Sequence, residues 1–250
     1  MARRVGREVA LLLGGGRALL LQVAHPAVAA GVAEHSDFRR DPWKRLEGTM
    51  NAVWAIVFGS RARADRAAAR VRLMHSRVNG RTGAGRPYSA LDPELLMWVH
   101  ATLVDTALLV HQQWVRPLSD AEQAEYHEEM KTAARLFGTP DDVIPATLDD
   151  FRAYMARMLD SSEITATETA REIAAAVMHP PVPLPLRPAM EMANLITAGL
   201  MPPRLRREYG LSWDPARAAI VAASRGTTRR VLMPLLPRRL RTVPGYRFAA

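Results

Sequence analysis

The 250-residue chain contains no cysteine. This absence excludes disulfide bonds, thiolate-bound zinc, iron–sulfur clusters and a cysteine nucleophile. Any metal must therefore be held by histidine, by carboxylates or by a macrocycle. Lysine is almost as scarce, because Lys44 and Lys131 are the only two, and arginine supplies nearly all of the positive charge.

Aromatic residues are also few, at 6% of the chain, and no recognisable nucleic-acid-binding motif is present. The net charge is nevertheless +9, from 34 basic and 25 acidic residues. A basic balance permits contact with nucleic acid or an anionic membrane but does not identify either partner. Without a motif or stacking aromatics, we expect no nucleic-acid partner.

A convincing targeting segment is absent as well. The apolar run at residues 9–13 is broken by three glycines and then Arg17, so it is too short for a signal peptide. Arg17, Gln22 and His25 also interrupt the following stretch, which leaves no uncharged window of membrane-spanning length there. We expect a cytoplasmic protein.

Two familiar enzyme motifs are incomplete or missing. The segment from Gly14 to Arg17 resembles a phosphate-binding loop, but the required Gly-Lys-Ser/Thr and a preceding strand are lacking. A helix-entry turn is the preferred interpretation. No Gly-x-Ser-x-Gly occurs, so a serine hydrolase of the doubly wound type is not expected.

Helical periodicity dominates the chain, and strand signals are nearly absent. This pattern predicts an all-α fold in one domain, residues 1–250, with a core at about 10–225 and a basic, proline-broken segment at 226–250. Predicted helices cover residues 18–33 with an interruption at Pro26, 41–59, 64–78, 92–115, 119–138, 147–159, 165–178, 188–200, 202–209 and 214–225. A glycine-rich loop is expected at 80–88.

His75 has the pattern of an inward-facing helix residue. Val71 lies four residues before it and Val78 three after, so all three share one helix face. A buried imidazole on a helix suits an axial ligand of a cofactor metal. The same pattern is equally that of a hydrogen-bonded core histidine, and the spacing does not separate the two interpretations.

Two further histidines, His100 and His111, lie on the long apolar helix that also carries Asp105. Eleven residues separate them, which is about 16 Å along a helix, so they cannot bind one metal ion. A non-haem site with two histidines and a carboxylate would need His75 and His100 to meet across helices. The alternative is that both are core histidines.

Arg45 and Thr49 are four residues apart and share a helix face. A guanidinium and a hydroxyl aimed into one pocket can polarise bound oxygen or fix a propionate. The alternative is a surface arginine and a threonine packed by its methyl group.

Several ordered tracts carry a family resemblance: LLLQVAHPAVAAGVAEHS at 19–36, DPWKRLEGT at 41–49, VFG at 57–59, VRLMH at 71–75, WVHATLVD at 98–105 and MPLLP at 233–237. Together they resemble the MpaB-type and latex-clearing rubber-oxygenase family. The similarity runs in order from about residue 10 to about residue 240.

The resemblance implies a multi-helix bundle with a globin-like core around a pocket for haem b. Members of this family cleave carbon–carbon double bonds of polyisoprene with dioxygen, or an isoprenoid side chain. The family's Arg-x-x-His pattern maps onto Arg72 and His75, with His75 as the proximal iron ligand. Its distal Arg-x-x-x-Thr pattern maps onto Arg45 and Thr49, while His100 is expected to line the pocket or to be structural.

Two positions depart from the family pattern. Gly48 stands where rubber oxygenases carry a distal lysine, and Glu34 is the nearest candidate for their distal glutamate. Two hypotheses follow. One is a haem-dependent oxygenase that acts on a small apolar, isoprenoid-like substrate with dioxygen. The other is a non-catalytic carrier or sensor that binds haem or another hydrophobic ligand.

The basic segment at 229–241 has two interpretations. Its arginines and leucines suit a weak contact with an anionic membrane surface. Pro234 and Pro237 are expected to break the helix, which favours packing on the core instead. The sequence does not indicate an oligomeric state.

Overall fold

The computed structural model describes residues 1–36 and 42–247, with the side chains of residues 42–46, 238 and 247 outside the described part. The first half contains α1 (Ala2–Gly6), a 3₁₀ helix (Val9–Gly14), α2 (Gly15–Val23), α3 (Pro26–His35), α4 (Pro42–Phe58), α5 (Arg61–His75), β1 (Asn79–Arg81), β2 (Pro87–Ser89), α6 (Pro93–Val110) and a π-helical segment (His111–Val115).

The second half contains α7 (Asp120–Phe137), α8 (Leu148–Asp160), α9 (Glu168–Met178), a 3₁₀ turn (Leu184–Leu186), α10 (Arg187–Leu200), α11 (Pro203–Glu208), α12 (Pro215–Thr227), a second π-helical segment (Thr228–Leu232), α13 (Met233–Leu235), α14 (Arg238–Arg241) and α15 (Pro244–Arg247). The predicted all-α fold is therefore confirmed.

The core is built around α6, which packs against α2, α7 and α8. Met97, Trp98, Ala101 and Val104 of this helix are at most 1% exposed. The indole Nε1 of Trp98 donates a hydrogen bond to the carbonyl oxygen of Leu21, 3.2 Å away. The apolar surface of α6 thus explains its central position, because burial of that surface is the main favourable term in folding.

Composition and length alone would let the helix at Pro93–Val115 cross a membrane, but 56% of its apolar window is buried inside the fold. A second apolar stretch, the 3₁₀ helix with α2 followed by α3, is bent by 104°. The bend occurs at Pro26, where the helix interruption was predicted, and this proline begins α3. The His25 ring caps α3 by accepting a hydrogen bond from the Ala27 N–H at 3.2 Å.

The glycines before Arg17 form a helix entry, as predicted, and they allow close packing. A Cβ on Gly14 would lie 2.9 Å from Val110, and one on Gly16 would collide with Thr197. Both distances are shorter than side chains tolerate, so α2 can approach its neighbours this closely only where the side chain is missing.

This close approach buries the guanidinium of Arg17. It donates to the Thr106 hydroxyl at 2.6 Å and to the Leu200 carbonyl at 2.9 Å, and it forms an ion pair with Asp105 at 2.7 Å. Arg17 therefore joins α2 to α6 and to the end of α10.

The glycine-rich segment at 80–88 is not the loop that the sequence predicted, because β1 and β2 form an antiparallel hairpin there. Gly80 pairs with Tyr88, and Gly85 adopts a φ of +75° that turns the chain. The hairpin is stabilised from outside, since the Tyr88 hydroxyl donates to Glu34 of α3 at 2.6 Å. Two three-residue strands carry too little alternation to be recognised from sequence.

Pro234 does not break the C-terminal helix, which corrects a second prediction. The N–H of Met233 bonds to the carbonyl of Thr228, five residues back, so the helix widens into a π-turn directly before the proline. That widening accommodates the missing N–H and the bulk of the proline ring. The chain leaves the helix only at Leu236, before Pro237.

The end of the described chain packs on the fold beyond the basic segment 229–241. Val243 is 1% exposed, and its N–H bonds to the Arg7 carbonyl at 2.9 Å. Tyr246 contacts Phe58 of α4 edge to face, with ring centroids 5.4 Å apart. Leu235 and Leu240 nevertheless stay exposed on the outer side.

Candidate functional site

The inner face of α5 carries His75. Ala64 and Ala68 are buried and Val71 and His75 are half-buried, and these residues recur at alternating intervals of four and three. This spacing is one stripe of a helix packed on a neighbour. His75 shares the inward face of α5 with Val71, as predicted, whereas the helix ends at His75 and Val78 lies beyond it, packed on α3.

The imidazole of His75 has an unusual environment. Its Nδ1 atom is shielded from solvent and has no hydrogen-bond partner among the described residues. Burial lowers the pKa of His75 below its ordinary value, so the ring is neutral at pH 7. A neutral imidazole has a lone pair that can bind a metal. Core histidines usually satisfy both ring nitrogens, and this one does not.

Helices α4 and α5 form a hairpin that relates Arg45 to His75. The two helices pack together and are joined at Gly59, where a Cβ would collide with the Ala55 carbonyl oxygen. From this turn, Arg45 and His75 each lie about 20 Å along their helix at about 1.5 Å per residue. The hairpin thus gives the two positions the same register, although the Arg45 side chain lies outside the described residues.

Thr49 is not enclosed in the structure. It is exposed, as are Glu47 and Gly48 beside it on α4. The described residues therefore do not form a closed distal pocket around Thr49. The side chain of Arg45, the other predicted distal residue, lies outside the described part of the chain.

Two large apolar side chains precede His75 on the outer side of α5. Leu73 is 62% exposed and Met74 is 57% exposed. Residues one and two positions apart on a helix do not face each other, so these side chains do not share the face of His75. Their exposure has no signal in the sequence, because leucine and methionine are typical core residues.

Arg72 has a structural contact in addition to its motif position. Its guanidinium donates to the carbonyl oxygen of Leu136 in the last turn of α7. A cation at a helix C-terminus is favoured by the unpaired carbonyls there. Arg72 is thus a link between α5 and the end of α7, where Gly138 stops the helix with a φ of +106°.

His100 lies deep inside the fold, on α6. Burial, and then the neighbouring His127 of α7, lower its pKa to about 4. Among the described residues, no three histidine or acidic side chains converge as metal ligands. The non-haem site that would join His75 and His100 with a carboxylate therefore has no support in this part of the chain.

The buried histidines predict acid sensitivity. The native pKa of His100 is about 4, below the ordinary 6.5, so the unfolded chain binds more protons in that interval and stability falls as the pH falls. For His100 we expect a loss of about 2 kcal/mol in unfolding free energy between pH 8 and pH 5. Urea unfolding at several pH values measures it.

His100→Gln is the matched comparison, because it removes one titrating group from this interval. Its unfolding free energy should change less with pH than that of the wild type, whatever its absolute stability. Above pH 5 the carboxylates are ionised in both states, so they do not disturb the comparison. Equal pH dependence in the two proteins would show that His100 already titrates normally in the fold.

Glu34, the nearest candidate for a distal glutamate, is held by the β-hairpin. Its carboxylate accepts the hydrogen bond from Tyr88, and it lies 3.8 Å from the ring of His35. Both contacts belong to the junction of α3 with β1 and β2. These contacts give Glu34 a structural role.

A family comparison matches most of the chain. Residues 2–231 match the model of the family described as ER-bound oxygenase mpaB/B′/rubber oxygenase, catalytic domain. Uncharacterized proteins of Mycobacterium tuberculosis and Mycobacterium bovis are each 28% identical over 208 residues, which cover 80% of this chain and 80% of theirs. No solved structure matches significantly.

The family match and the structure agree on the all-helical architecture. The match also spans α4, α5 and α6, the helices that carry the candidate residues. The chain therefore belongs to the family of oxygenase catalytic domains that includes mpaB and the rubber oxygenases.

Proposed function

We propose that this oxygenase-family protein binds haem b and uses dioxygen to oxidise an apolar, isoprenoid-like substrate at a carbon–carbon double bond. One observation carries the proposal. The His75 Nδ1 atom is buried without a hydrogen-bond partner in a ring that burial keeps neutral. An unsatisfied buried polar atom costs free energy, and a missing ligand explains why it persists.

The residues present fit a haem better than a protein-only metal site. A haem iron needs a single protein ligand, because the macrocycle supplies the other four nitrogens. His75 offers such a ligand, whereas no three-ligand cluster exists among the described residues. The chain also has no cysteine that could compete for the iron.

His75 would hold the iron, and its neutral state keeps the ligating lone pair available at physiological pH. Bound haem supplies the redox-active iron that activates dioxygen. Arg45 and Thr49, which the hairpin holds at the register of His75, would supply hydrogen-bond donors for dioxygen.

A carrier or sensor function is the second candidate, and the exposure of α4 favours it. Gly48 provides no side chain where rubber oxygenases carry lysine, and Thr49 is exposed. A protein that only binds haem needs His75 but no enclosed distal donors. Oxygen uptake with a substrate separates this candidate from an oxygenase, because both predict the same haem content.

The first experiment is a visible spectrum of the purified protein with a pyridine haemochrome assay. Stoichiometric haem b supports the proposed cofactor. Oxygen consumption and product analysis with an isoprenoid alkene such as squalene then test catalysis. A protein that stays colourless after haem supplementation during expression would overturn the haem proposal and return His75 to the role of a core residue.

Gly48→Lys tests whether α4 faces the cofactor. Nothing lies within 4 Å of a Cβ at this position, so the substitution should be tolerated and should stabilise the exposed helix by about 0.5–1 kcal/mol. If the proposed distal side is right, the introduced amine should change the Soret band of the haem-loaded protein. Gly83→Lys is the control, since it also places a lysine in open space.

A Soret band that is identical in wild type, Gly48→Lys and Gly83→Lys would place α4 away from the iron. The proximal assignment of His75 would not be affected by that result.

A further inference from the structure

The two π-helical segments contact one another on the side of the fold formed by α10 and α12. One ends α6 at His111–Val115, and the other continues α12 at Thr228–Leu232. A π-turn is rare, occurs mostly as a single turn within an α-helix and is frequent at functional sites. Because two of them are in contact, the space between them is a candidate binding site.

A cavity of about 370 Å³ lies between these segments. Three arginines line it, Arg225, Arg229 and Arg230, together with the amides of Gln112 and Gln113. The described lining residues include no aspartate or glutamate. The cavity thus concentrates positive charge without a compensating carboxylate on its wall.

Two polar atoms of this lining are buried and unpaired. They are Nε of Arg225 and Oε1 of Gln113. The Arg225 guanidinium lies over the ring of Trp114 at 5.2 Å, which holds it in place by a cation–π contact. Burial lowers the pKa of Arg225, with no acidic neighbour to oppose the effect. An arginine fixed in this way is arranged to receive an anion from outside the chain.

A neighbouring cavity of about 400 Å³ shares Arg229 but differs in its charge balance. There, Arg116 donates to Glu122 at 2.9 Å, and Arg7 lies 3.3 Å from Glu8. These arginines already have carboxylate partners. The described lining of the first cavity, in contrast, holds three arginines and no carboxylate.

We infer that the cavity between the two π-helical segments binds a phosphate group, held by Arg225, Arg229 and Arg230. Planar guanidinium groups match phosphate oxygens in bidentate geometry, and three of them suit a group that carries up to two negative charges. The volume lies at the small end of ligand sites, which fits one headgroup rather than a large cofactor. This site is separate from His75 and does not depend on the proposed oxygenase function.

The phosphate has two possible sources, a soluble phosphorylated compound and an anionic lipid headgroup. Val231 and Leu232 follow the arginines directly and are 46% and 47% exposed, and Leu235 is 76% exposed. Apolar side chains beside an arginine cavity suit the lipid source, because they can enter the membrane interface. Both sources require the same three arginines.

Calorimetry measures the binding of inorganic phosphate and pyrophosphate to the protein. A second assay measures how much protein sediments with phosphatidylcholine vesicles, with and without phosphatidylglycerol. Arg225→Gln/Arg229→Gln is the site variant. Arg61→Gln/Arg66→Gln on α5 removes the same charge at exposed positions and is the control. We expect the site variant alone to lose at least about tenfold in affinity, as one lost charge-assisted hydrogen bond predicts.

Selective loss for phosphate or pyrophosphate supports the site with a soluble ligand. Selective loss for phosphatidylglycerol vesicles supports it with a lipid ligand. Equal losses of affinity in the site variant and the control variant would show that only net charge matters, which would overturn the proposal. Absence of binding by the wild type would overturn it as well. The single variant Arg229→Gln changes only an exposed side chain, so a loss of binding in this variant cannot be due to misfolding. His75→Ala should bind phosphate normally, which separates this result from the haem proposal.

Discussion

Replacing His75 with alanine is expected to lower the haem content of the purified protein by about tenfold or more, because the only proposed protein ligand to the iron is lost. The helix should survive the change. Alanine is the best helix former, and the imidazole makes no hydrogen bond through Nδ1 that the fold would miss. Haem per chain by pyridine haemochrome, together with helicity by circular dichroism, measures both expectations.

His179→Ala is the matched control, since His179 is an exposed histidine outside α5. It should retain wild-type haem content. His100→Gln serves as a second comparison, because a buried histidine tests whether any core change releases haem. If His75→Ala keeps its haem, or if all three variants lose it equally, the assignment of His75 as ligand is wrong.

Arg17→Ala is expected to have the largest effect on stability, a loss of about 3 kcal/mol in unfolding free energy. The Arg17 side chain is 5% exposed and bonds to groups on two other helices. Its removal leaves Asp105 without its cation and the Leu200 carbonyl without a donor, and breaking a buried pair costs about 3–5 kcal/mol. Asp105 is 30% exposed, so water offsets part of that cost. Urea unfolding followed by circular dichroism measures the change.

Arg61→Ala provides the contrast on the same chain. Arg61 is 96% exposed and reaches Asp65 only at 4.0 Å, so its loss should cost less than about 0.5 kcal/mol. If the two alanine variants unfold at the same urea concentration, the buried network contributes nothing measurable, and packing of α2 alone holds these helices together.

The sequence predicted those parts of the fold that depend on neighbours along the chain. The predicted helix at 119–138 begins with a capping box of Ser119 and Glu122, and Pro26 separates α2 from α3. The inward direction of His75 is predicted by its four-residue spacing to Val71 on the same helix. Each of these features is set within a few residues, so a pattern in the sequence carries it.

Features that depend on distant parts of the chain could not be predicted in the same way. The hairpin of β1 and β2 is stabilised by Glu34 of α3. From the sequence, Pro234 predicts a helix break, whereas in the structure the helix widens into a π-turn before it. The same limit applies to the candidate site. The motif positions of Arg45 and Thr49 do not reveal that Thr49 is exposed, because exposure depends on what packs against α4.

The π-helical segments also have a consequence for the ancestry of this chain. A π-turn contains one residue more than the α-helical turn that it replaces, so each segment is equivalent to a single-residue insertion. Deleting Gln112 would restore a regular α-turn at the end of α6, and since one full turn would replace another, the following residues would keep their side of the helix. The deletion would instead remove one of the two amides that line the cavity between the π-helical segments. In an alignment of relatives, we expect gaps of one residue at 111–115 and 228–232 to coincide with loss of the three cavity arginines.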